Sequence, residues 1–350
     1  MIHPVRTSFW MVAGTFLLVG FLHLGTPLLA ALFSLFVLEK LHRGRHRWLT
    51  LLGFVVVLVA ASFALGRFTT QAVVALPAVA EKAIPSIIDY AEARGVELPF
   101  TDWASLKTVM LATAADQAEA LGRFATGATR QLVLLFLGVV VAMSLFLGSE
   151  LDLDREKHPI RRNLYSLTTA ELSARFALFY RSFTTVMGAQ VVISAINTGL
   201  TAIFVVTAGL PNRAVILGVT FLCGMVPVVG NLVSNTVITA IAFTVSPRTA
   251  LLALAFLVVI HKLEYFLNSK IIGDRIRNPV WLTLLGLIVG EKLMGIPGMI
   301  LAPVLLHYVR AEALQVEVAE GAATAAAAPA LRPVAGAAGA TPMASPDEAA

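Results

Sequence analysis

"GMVPVVGNLVSN" occupies residues 224–235, inside an apolar run that extends from about residue 213 to 246. It sets a proline, two glycines and two asparagines where a membrane-crossing helix would be continuous. Pro227 lacks a backbone donor and its ring clashes with the turn before it, so a helix is interrupted there. Asn231, Ser234, Asn235 and Thr236 add polar side chains that lipid disfavours. Irregular backbone at membrane depth is tolerated only where protein or a wet cavity covers it. The stretch reads either as a tight hairpin between neighbouring helices or as an unwound segment lining a polar path.

The rest of the chain supplies the membrane. Of 350 residues, 58% are hydrophobic and only 13% are charged, with a net charge of +5. A soluble chain carries about a quarter charged residues. Several uncharged runs approach or exceed the ~20 residues that span a bilayer core. The alternating strands of a membrane barrel are absent from the sequence. The expected fold is an all-α integral membrane protein of about eight transmembrane or re-entrant helical segments, with an external amphipathic helical insert. The positive charge fits basic cytoplasmic loops better than nucleic acid. The lone Cys223 excludes an intramolecular disulfide and sits in an apolar run, where packing accounts for it. No Gly-x-x-x-x-Gly-Lys-Ser/Thr loop, Gly-x-Ser-x-Gly elbow or paired Cys/His nucleophile is present in the sequence. The chain thus reads as a non-enzyme without cofactor or metal.

Four regions follow from the pattern of charge and hydropathy. Residues 1–66 form N-terminal transmembrane helices around a basic loop, where Lys40, Arg43, Arg45 and Arg47 predict the cytoplasmic side. Residues 7–38 are too long for a signal peptide and read as retained membrane helix, with Gly25 and Pro27 offering a break. Residues 67–130 mix charges with helical periodicity and are punctuated by Pro77, Pro85 and Pro99. They predict an external insert of two or three amphipathic helices, one of them capped by Thr101. Residues 131–316 form the C-terminal transmembrane core, and residues 317–350 an Ala/Pro-rich disordered tail.

Within that core the interruption occurs twice. Residues 281–309 are split by Gly295, Pro297 and Gly298, as residues 213–246 are by Pro227 and Gly230. If each run goes in and returns on one side, the loop charges alternate correctly along the chain. Paired Gly/Pro-interrupted segments point to the binding region of a transporter, because a broken helix exposes unpaired backbone groups. Gln190, Ser194, Asn197 and Thr201 form a polar stripe that either lines a path or bonds helix to helix. In "HKLEY", His261 and Glu264 share one helix face. Glu264 is either an interfacial acid or the carrier of a proton or cation.

The ordered set of Pro227 and Gly230, Glu264, Lys270 and Gly273, Gly295 and Gly298, and Pro303 resembles the autoinducer-2 exporter (AI-2E) or PerM-like permeases of bacterial membranes. The likeness covers about residues 7–310, including two close helices, a basic loop and a long insert. Two departures are Asn268-Ser269, where the family has a proline, and the charged Glu291 and Lys292. The resemblance implies a secondary transporter or facilitator of the bacterial cytoplasmic membrane. It would export a small hydrophilic solute resembling autoinducer-2, or exchange sodium for protons. Pro227, Gly230, Asn231, Asn235, Gly295, Pro297 and Gly298 would line the substrate path, and Glu264 would couple the ion. The expected partners are the lipid bilayer, the solute or ion, and further copies in a homo-oligomer, as a small ring. The alternative is a non-transporting membrane scaffold that binds a partner through residues 67–130.

Overall fold

A computed structural model describes residues 4–42, 44, 46–95, 118–148, 164–227, 229–272 and 279–315. The helix start at Thr101, the charged stretch 149–163, Gly273 and the tail from 316 lie outside the described residues. Most of the described residues are helical, and none is in a strand. The helices are α1 (Pro4–Phe21), α2 (Gly25–His42), α3 (Arg47–Glu92), α4 (Ala118–Leu147) and α5 (Leu164–Thr207). They continue as α6 (Arg213–Gly224), α7 (Val229–Phe243), α8 (Pro247–Ile272), α9 (Val280–Met294) and α10 (Ile296–Ala313). The described residues thus hold ten helices, with each interrupted run a pair of them.

Four helical stretches are long and apolar enough to cross a membrane: Gly25–His42, Arg47–Glu92, Arg130–Leu147 and Leu164–Thr207. The apolar run at residues 7–38 is two helices rather than one bent helix. His23 takes a left-handed conformation, with φ of 53°, and turns the chain between α1 and α2. α2 and α4 then lie side by side in the same direction. Thr26 donates to Gln131 at one end, and the His42 and Phe146 rings meet at the other. Their backbones approach closely at Gly138, where a Cβ would sit 2.4 Å from the Pro27 carbonyl oxygen. At the far end Arg47 donates to the Leu147 carbonyl (3.0 Å), so the start of α3 and the end of α4 lie together.

α3 departs from the sequence reading. It runs unbroken through residues 66–67, Pro77 and Pro85 for 46 residues, or about 69 Å at 1.5 Å per residue. The helix therefore passes straight into what reads as a separate insert. An interior proline costs ~3 kcal/mol, which packing offsets here. Phe68 lies over Gly218 of α6, Ala72 packs with Val215 and Val219, and Val79 joins Ile216 and Ile241. The first turns of α3, at Leu51, Phe54 and Leu58, pack with α2 and α4. Between these two contacts the helix shows lipid-like side chains outward, among them Val56, Val59 and Phe63.

The two interrupted runs fold as helical hairpins. α6 and α7 have 12 and 15 residues, about 18 and 22 Å, each short of the ~30 Å hydrocarbon core. Gly230 lies so close to Cys223 across this hairpin that a Cβ would come within 1.7 Å of the Cys223 carbonyl oxygen. α9 and α10 turn at Gly295, which has φ of 66°. Gly290 and Gly298 face each other there with no room for a side chain on either. Val226, at the turn of the first hairpin, packs against Leu287, Met299 and Ala302 in the stem of the second.

Candidate functional site

The sequence places polar atoms at the first break, and the fold ties the break to two other helices through Asn231 and the last carbonyls of α6. α6 ends at Gly224 with carbonyls that the helix itself leaves unbonded. The α5 stripe supplies donors to that last turn. Gln190 Nε2 donates to the Gly224 carbonyl at 2.5 Å and Ser194 Oγ to the Phe221 carbonyl at 2.7 Å. Gly224 is required at this contact, since a Cβ there would lie 2.6 Å from Ser194 Oγ.

One turn further along α5, Asn197 Nδ2 donates to Glu264 Oε2 on α8 at 3.3 Å. Asn231, in the first turn of α7, donates to both carboxylate oxygens of Glu264 at 3.0 and 2.9 Å. The carboxylate accepts only, so the amide nitrogens must face it. Three helices and the break thus converge on one acid. Among the described residues, two neutral amides are the partners of Glu264, and no cation pairs with it. Glu264 and Asn231 are both half-buried, whereas Asn197 is 6% exposed. The carbonyl oxygen of Asn197 is buried without a hydrogen-bond partner.

Of the residues read as a path, Pro227, Gly230 and Asn231 share the first break, and Asn231 reaches Glu264. Asn235 is half-buried one turn beyond and is not a partner of the acid. Gly295, Pro297 and Gly298 stand at the second break and meet the α1–α2 turn instead. His23 Nδ1 donates to the Leu293 carbonyl at 2.6 Å, and Gly25 leaves room for Met294 and Pro297. His261, one turn back from Glu264 on α8, is exposed.

A second buried polar group had no signal in the sequence. Arg175 of α5 pairs with Glu312 of α10 and donates from Nε to Ser8 Oγ of α1 at 3.1 Å. Arg175 is 7% exposed, in the stretch "ELSARFALFYRSF", whose charges read as cytoplasmic from the sequence. Nothing in the local spacing shows that α1 and α10 cover it.

Several apolar spans, two hairpins of sub-span helices and a carboxylate held at a helix break define a multi-pass membrane protein of the transporter class. Comparison with known proteins gives the family. The model of the AI-2E family transporters matches residues 7–316, and the chain belongs to that family. A curated relative, "Putative transport protein YdbI" of Bacillus subtilis (strain 168), is 30% identical over 125 residues. That alignment covers 35% of this chain and 36% of the relative's length.

Proposed function

We propose that the chain is a secondary transporter or facilitator of a bacterial cytoplasmic membrane that moves a small hydrophilic solute outward. The solute is autoinducer-2-like in size and polarity. The break at Pro227, Gly230 and Asn231 lines the path with Asn235, and the break at Gly295, Pro297 and Gly298 forms its second wall. Glu264 couples movement to a proton or sodium gradient. Copies of the chain assemble as a homo-oligomer.

The observation that carries this reading is the bond between break and charge: Asn231 holds the Glu264 carboxylate through both oxygens. A tight hairpin with no other role has no need of an acid at its turn. An unpaired acid within a membrane helix costs ~2.5–3.5 kcal/mol on insertion scales. Solute flux into sealed vesicles, with and without an imposed gradient, tests the reading. Asn231→Leu should lower flux at least tenfold while the oligomeric size in detergent is unchanged. Glu264→Gln should keep downhill flux and lose its dependence on the gradient. Wild-type flux in Asn231→Leu would remove the path and leave a plain hairpin.

A further inference from the structure

Residues 48–66 of α3 carry no charge. That run is about 28 Å long at 1.5 Å per residue, close to the ~30 Å hydrocarbon core. Arg67, the next residue, therefore stands at the level of the lipid phosphates. Val56, Val59 and Phe63 lie below it on the same helical face and are 60%, 63% and 71% exposed. The face continues upward as Thr70, Gln71, Val74 and Lys82. There it forms one wall of a cavity of about 660 Å³. The other wall comes from Asn212 before α6, Ala214 in its first turn and Thr244 after α7. Among the described residues, the lining holds two cations, Arg67 and Lys82, and no carboxylate. Neither cation has an acidic partner among the described residues, whereas the buried Arg175 is matched by Glu312. The Asn212 side chain makes no capping bond to α6, so its amide and that of Gln71 add N–H donors to the charges. The positive end of the α6 dipole adds to them at Ala214.

We infer that this cavity holds the headgroup of an anionic glycerophospholipid, its phosphate on Arg67 and an acyl chain along Phe63, Val59 and Val56. A guanidinium takes two phosphate oxygens at once. Lys82 lies ~22 Å further along the helix axis, so it draws the anion in as a point charge and does not share that phosphate. A free anion would use the charges alone and leave the apolar stripe without a part. A zwitterionic headgroup would set its own ammonium among Arg67 and Lys82. A lipid of net negative charge meets both the charges and the stripe. Arg67, Gln71, Lys82 and Asn212 are all exposed, so the headgroup has access. Once seated it bridges α3 and the hairpin of α6 and α7, and binding to the folded state alone raises its stability.

Thermal melting of the full chain, stripped of lipid in a neutral detergent, tests this with three probes. They are dioleoylphosphatidylglycerol, dioleoylphosphatidylcholine and glycerol phosphate. Phosphatidylglycerol should raise the melting temperature in a saturable way, and the other two at the same concentrations should not. Arg67→Gln should weaken the midpoint about tenfold, and Lys82→Gln less, about threefold to fivefold. Arg248→Gln removes an exposed cation outside the cavity and should leave the midpoint unchanged. The melting temperatures without probe show whether each variant folds. Should Arg67→Gln not fold, the three-probe ranking and the contrast of Lys82→Gln with Arg248→Gln still decide. No response to phosphatidylglycerol overturns the inference outright. An equal response to phosphatidylcholine leaves apolar contact alone and overturns it as well. A full response to glycerol phosphate would make the cavity a site for a free phosphate-bearing solute and sink the lipid. Equal weakening in Arg248→Gln would reduce the effect to unspecific surface charge.

Discussion

A single methyl group on Gly230 has nowhere to go, because it would sit 1.7 Å from the Cys223 carbonyl oxygen. Among the described residues at the two breaks only Gly295 has positive φ. Gly230 is needed for the close approach of α6 and α7. Gly230→Ala should therefore cost about 1–3 kcal/mol through overpacking and lower the melting temperature in detergent. Gly53→Ala, in open space on α3, should leave it level or gain about 0.5–1 kcal/mol. The buried Arg175–Glu312 pair gives a second expectation. Glu312→Leu strands a buried guanidinium and should cost about 3–5 kcal/mol, whereas Arg175→Met with Glu312→Leu should recover much of that loss. Melting temperatures of the two single variants and the double variant measure it. At this scale Glu264 and Asn231 stand out in the sequence, as an acid and an amide in apolar runs. Their pairing with Asn197 does not, because the register of α5 against α8 joins residues 67 positions apart.

At the scale of elements, local rules place the interruptions well and the continuity badly. Both hairpins follow from Pro and Gly inside runs too long for one helix and too short for two spans. The division at residue 66 follows from charge, yet charge does not end a helix. α3 continues because its buried stripe at Val79, Ala83, Ile84 and Ile88 outweighs two prolines. Pro77 is exposed on that helix, so its replacement removes little packing and restores a backbone donor. Pro77→Ala should raise stability by about 1–3 kcal/mol, read as a higher melting temperature. A fall instead would mean that the proline bend is required for α3 to meet α6.

For the whole molecule, hydropathy reveals the class and the order of spans, because lipid imposes a length on every crossing. It does not reveal that the first hairpin rests on the second, which is a matter of tertiary packing at Val226. Orientation follows from the basic loop. Arg45→Cys and Glu92→Cys, each in a Cys223→Ser background, should separate under an impermeant thiol reagent on intact cells. Position 92 should label and position 45 should not. The opposite pattern would invert the chain in the membrane.

The clasp between His23 and Leu293 joins parts of the polypeptide 270 residues apart. At about 5–20 residues per second, the ribosome needs roughly a quarter of a minute to a minute to make the second partner after the first. Through that interval the α1–α2 turn stands unlatched, and Arg175, once made, waits a further 137 residues for Glu312 on the last described helix. The nascent chain thus holds an open seam until α9 is made and a bare guanidinium until α10 is made. A ribosome that stalls between α5 and α10 leaves a product in which Arg175 lacks its acidic partner. Membrane proteases can recognise such a fragment without any dedicated signal.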